Sequence, residues 1–82
     1  MPNFSELQLR LKALLHERIR SGELTERGLA RRTGISQPHI HNVLKGKREF
    51  SFESADAVLR GLGLDVLDLL DSENAMQWQA RH

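Results

Sequence analysis

Cysteine is absent from the 82 residues, so no disulfide braces the fold and no thiolate is available for metal binding or nucleophilic attack. Long apolar runs are absent too, and none approaches the roughly 20 residues that a helix needs to cross a bilayer. The opening segment, residues 1–9, carries Glu6 where an export signal wants basic and then apolar residues. No membrane span, no export signal and a cytoplasmic location are therefore expected. No strand pattern occurs, which excludes a glycine-rich phosphate loop between a strand and a helix. His16 has no acidic pair at ligand spacing beside it. His39 and His41 are two apart, so on one helix they point about 200° from each other and cannot share an ion. No metal, no cofactor and no catalytic constellation is expected, and the chain does not read as an enzyme.

What is present is one small domain, short enough that folding buries only about 60–65% of the unfolded surface. Its hydrophobic and charged fractions, 39% and 28%, are ordinary for a globular chain. The formal net charge of +1 conceals a polarity. Residues 1–50 hold ten Lys/Arg against five Asp/Glu, whereas residues 51–82 hold two against six. Small domains are often lopsided by accident, so the polarity gains weight only from what the basic half contains.

That half contains two short helical patterns joined by Thr33-Gly34-Ile35-Ser36. Thr25 is a good N-cap for the first, predicted over about Glu26–Thr33, and Gly34 supplies the left-handed residue that stops it. Gly28 inside it costs roughly 1 kcal/mol against alanine, and either another backbone approaches closely there or the glycine is simply tolerated. Ser36 caps the second pattern, about Gln37–Lys45, with Pro38 in its first turn. Ile40, Val43 and Leu44 repeat at helical spacing and face inward, leaving Gln37, Pro38, His41 and Asn42 outward. Two helices joined by so short a link are the helix-turn-helix pattern, whose second helix can enter a DNA major groove. Gln and Asn can pair bidentately with adenine N6 and N7, and proline offers an apolar patch to a thymine methyl. Lys47 and Arg48 follow the second helix and suit phosphate contacts.

Around this stretch, a first helix is predicted from about Phe4 or Ser5 to Ser21. Ser5 and Gln8 have capping-box spacing, and Phe4, Leu7, Leu11, Leu14, Leu15 and Ile19 form the apolar stripe. Ser51 caps another helix, about Phe52–Gly61, with Phe52, Ala55, Val58, Leu59 and Leu62 as its inner face. Asp65 caps a last short one over residues 66–70. Leu64, Val66, Leu67, Leu69 and Leu70 are more apolar surface than one turn of helix can hide, which leaves a surplus for a partner subunit. The tail, residues 71–82, has no cap-to-cap pattern. Its Met76 and Trp78 dock on the domain or on a twin, or the tail is loose.

The marks Leu24-Thr25, Leu29-Ala30, Gly34-Ile35-Ser36, Ile40, Gly46-Lys47-Arg48, Ser51-Phe52-Glu53 and Leu62-Gly63-Leu64 with Leu69-Leu70 form a specific combination. Together they resemble the lambda-repressor-like helix-turn-helix family (Cro and XRE type) over most of the chain. The resemblance implies an all-α domain of five helices over residues 1–70, with residues 71–82 as a tail. It implies double-stranded DNA as partner, with the third helix in the major groove, and a homodimer on a two-fold operator. Base contacts are implied for Gln37, Pro38 and Asn42, with His41 close enough to join them. Phosphate contacts are implied for Thr25, Arg27, Lys45, Lys47 and Arg48. Leu67, Leu70 and Trp78 are the candidate dimer residues.

Two positions depart from the family pattern. Glu26 stands where many members have a glutamine that braces the base-reading glutamine and touches a phosphate. An acid there repels phosphate, or accepts from cytosine N4 or from a neighbouring side chain. Pro38 cannot make a bidentate contact. The expectation is a sequence-specific transcriptional regulator of repressor type. An antitoxin, or an interaction module of the same fold that binds a partner protein such as a toxin, is the alternative.

Overall fold

The computed structural model describes residues 3–65 and Leu69. Among these, four helices form: α1 (Phe4–Arg20), α2 (Glu26–Thr33), α3 (Gln37–Leu44) and α4 (Phe52–Gly61). Each begins on a polar side chain that accepts from an amide the first turn leaves free. Thr25 accepts from Gly28, Ser36 from His39 and Ser51 from Ser54, at 2.9, 3.3 and 3.1 Å. Before each of these caps stands an apolar residue, Leu24, Ile35 or Phe50, whose counterpart five positions on is Leu29, Ile40 or Ala55. This is the spacing of a hydrophobic staple. All six residues belong to the core or pack against it, so each helix start is pinned inward by the residue before its cap.

The helix ends differ in a way that shapes the turn. After α1, α3 and α4 the chain leaves through a left-handed glycine with paired amide bonds. Around α3, Gly46 donates to the Val43 carbonyl at 3.0 Å and Lys47 to the Asn42 carbonyl at 2.9 Å. After α2 a single bond suffices, from Gly34 to the Ala30 carbonyl at 2.9 Å, with Gly34 at φ +76°. That shorter stop leaves only Gly34, Ile35 and Ser36 between α2 and α3.

Leu11 and Leu15 of α1 meet Leu29, Ile40, Val43, Val58 and Leu59 in one core, closed by Leu24, Phe50 and Ala55. Full burial of a leucine or phenylalanine contributes about 1.5–3 kcal/mol. α2 packs on α3 and α4, and α3 also packs on α1.

Three expectations need correction. The capping box at Ser5 and Gln8 does not form: Asn3 caps α1 by accepting from Glu6 at 2.9 Å. Gln8 is instead buried, at 2% exposure. Its Oε1 accepts from the Phe50 amide at 3.2 Å and its Nε2 donates to the Phe50 carbonyl, so one side chain satisfies both backbone groups of a core residue. Phe52 is not part of the inner face of α4; it is 72% exposed and its ring lies 5.8 Å from that of Phe4. Helical side chains lean toward the N-terminus, so the first residue of a helix projects past the core it helps to start. Gly28 does not mark the approach of another backbone. A Cβ there would meet the capping hydroxyl of Thr25 at 3.0 Å. The close approach is at Gly61, where a Cβ would meet Thr33 Cγ2 at 3.0 Å and Arg32 Cβ at 3.4 Å, and this lets α4 lie against the end of α2.

Of the fifth helix expected over residues 66–70, Leu69 alone is described. It is helical and buried, and its amide donates to the Asp65 carbonyl at 3.3 Å. Leu67, Leu70 and Trp78 lie outside the described residues, as does the tail.

Candidate nucleic-acid interface

The turn sets α3 across α2 so that Ile40 and Val43 face fully into the core. The other side of the helix is open. Gln37, Pro38 and His41 are exposed and Asn42 is half-buried. These four residues, together with Glu26 from the first turn of α2, line one shallow concavity. Sequence alone assembles the first four on one helix face; the fifth comes from a different helix.

His39 behaves oppositely, as the 200° separation requires. Its ring is half-buried and meets that of Phe50 edge-on, with centroids 6.1 Å apart. His16 is exposed, and it donates from Nε2 to the Leu44 carbonyl at 3.1 Å and so ties α1 to the last turn of α3. No group of histidines and acids fit to hold a metal occurs among the described residues.

Glu26 takes the neighbouring-side-chain option among those open to it. Its two carboxylate oxygens lie 3.2 and 3.4 Å from Nδ1 of His41. The acid sits in the first turn of α2, where the helix dipole favours a negative charge, and its side chain is 28% exposed against 50% for His41. Fifteen positions separate the two residues in sequence, and no periodicity of one helix relates them.

The phosphate candidates are all at the surface. Thr25 is exposed and, because its oxygen accepts from Gly28, its hydroxyl hydrogen is left to donate. Arg27, Lys45, Lys47 and Arg48 are exposed, and none forms an ion pair among the described residues. Lys47 and Arg48 are held by their own backbone, since both amides donate to the Asn42 carbonyl, at 2.9 and 3.3 Å. Two cations are thus anchored to the final turn of α3.

Helix pair, tight glycine stop and an open second helix together define the motif. A family model described as a helix-turn-helix domain matches residues 8–72. The chain belongs to the helix-turn-helix domain family. This is the Cro and XRE type that the sequence resembles. No match is found among curated proteins or solved structures. In DNA-binding helix-turn-helix domains the second helix of the pair is the one that lies in the major groove, and the second helix of the pair in this chain is α3. No helix among the described residues is long and apolar enough to cross a membrane.

Proposed function

We propose that this helix-turn-helix domain is a sequence-specific transcriptional regulator of repressor type, acting in the cytoplasm as a homodimer on a two-fold operator. The observation that carries the reading is the concavity on α3, where Gln37, Pro38, His41 and Asn42 converge on the open face of the groove helix. Family membership supports DNA as the partner. In this reading Gln37 and Asn42 offer donor and acceptor to base edges, and Pro38 meets a thymine methyl. Thr25, Arg27, Lys45, Lys47 and Arg48 hold phosphates and set the register without reading sequence. The pairing of Glu26 with His41 gives the acid of the concavity a partner within the protein.

The homodimer would use a fifth helix over residues 66–70, with Leu67, Leu70 and Trp78 at the interface. Its support is the apolar surplus in that segment and the crevice between α1 and α4 that Leu69 lines beside the exposed Phe4 and Phe52. Two-fold symmetry would place the α3 helices in half-sites about 34 Å apart. The rival reading, an antitoxin or interaction module that binds a partner protein, draws on the same apolar crevice and on the acidic balance of residues 51–82.

Base and phosphate contacts fail differently, which separates the readings. Gln37→Ala or Asn42→Ala is expected to cost on the order of 1–3 kcal/mol on the cognate site and to relax one base position. Lys47→Ala is expected to weaken all sequences alike and to lower the salt slope by about one. Identical behaviour of the two kinds of variant in salt-dependent DNA titrations overturns the assignment of α3 to the groove.

A further inference from the structure

We infer that Glu26 is a positioning residue that fixes His41 as a hydrogen-bond acceptor for a base amino group, cytosine N4 or adenine N6, in each half-site. The inference rests on the reading of α3 as the groove helix. An ionised carboxylate only accepts hydrogen bonds, so the ring nitrogen that faces it, Nδ1, must carry the proton. The neutral imidazole then has its lone pair on Nε2. Among the described residues nothing hydrogen-bonds that nitrogen, and the side chain is half exposed on the wall of the concavity.

The brace is well founded. Glu26 belongs to a turn whose cap, Thr25, accepts from Gly28 at 2.9 Å, and α2 is packed on α3 behind it. Two oxygens within 3.4 Å of one Nδ1 restrict the ring in plane as well as in direction. The carboxylate has lone pairs left over, so the Glu26–His41 pair presents acceptors alone to whatever enters the concavity. In the major groove guanine shows N7 and O6 and thymine shows O4, all acceptors, while cytosine N4 and adenine N6 are the donors. An acceptor-only pair attracts the amino groups and repels the keto edges. Gln37 and Asn42 carry both donor and acceptor and impose no such polarity.

Binding-site selection with the full chain first supplies the half-site duplex. Affinities are then measured for wild type, Glu26→Ala, Glu26→Gln and His41→Ala on that duplex and on copies that lack one amino group at a time. The replacement base is 2-pyrimidinone for cytosine or purine for adenine. One such deletion per half-site is expected to weaken wild type roughly tenfold, within the range of a single base contact. Glu26→Gln, whose amide oxygen still accepts from Nδ1, keeps that sensitivity; Glu26→Ala and His41→Ala lose it, and the double variant loses no more than either. A merely structural ion pair would leave sensitivity to the amino group unchanged. The inference is overturned if no amino deletion separates wild type from His41→Ala, or if Glu26→Ala stays as sensitive as wild type. Selection of no half-site at all overturns the groove reading itself, before any variant is compared. An unchanged melting curve verifies that each variant is folded.

Discussion

Removing the Gln8 side chain strands two backbone groups at once, because its amide satisfies both the N–H and the C=O of buried Phe50. Each unpaired buried group costs about 1–3 kcal/mol, so Gln8→Ala is expected to lower stability by roughly 3 kcal/mol in urea unfolding. Gln8→Leu, which keeps the volume but not the bonds, should be almost as damaging; near-wild-type stability for it would show that the site is only packing. Gly28 and Thr25 form a second coupled pair. An alanine at Gly28 gains about 1 kcal/mol of helix propensity but crowds the Thr25 cap, which is worth about the same. Gly28→Ala is therefore expected to be near neutral alone and stabilising in a Thr25→Ala background, as a double-mutant cycle by thermal melting can read. Caps were legible from sequence because a cap is a three-residue event, and Thr25, Ser36 and Ser51 serve as caps as their types require. Gln8 was not, since its partner is forty-two positions away and its spacing from Ser5 imitates a local motif that Asn3 takes over.

At the scale of helices, the fit of α4 against α2 depends on Gly61. Thr33 cannot easily yield there, because its hydroxyl donates to the Leu29 carbonyl at 2.8 Å and accepts from Ile35 at 3.1 Å, which fixes its rotamer. Gly61→Ala is expected to destabilise by about 1–3 kcal/mol despite the better helix propensity of alanine, a sign that chemical denaturation reads directly. Helix extents were recoverable from apolar spacing and glycine stops. Side-chain direction at helix starts was harder: Phe52 has the right periodicity for the core and lies outside it. Phe50, just before the cap, is the core residue, and the staple spacing to Ala55 is the signal that marks it. The outward set on α3 could be drawn from one helix's periodicity. The Glu26–His41 contact could not, since it depends on how α2 crosses α3.

For the molecule as a whole, the charge polarity of the sequence and the apolar crevice are two separate features. The basic half carries α3 and the exposed cations around it, while Leu69 and the exposed Phe4 and Phe52 gather at the crevice between α1 and α4. A homodimer is expected in sedimentation equilibrium, with a mass of two 9.4 kDa chains; a single-chain mass at micromolar concentration counts against it. The most direct test of DNA reading by α3 is binding-site selection from a pool of random duplex DNA at low salt. The expected result is an enriched two-fold motif whose half-sites lie about one helical turn, 34 Å, apart. A pool that stays random after successive rounds would contradict it.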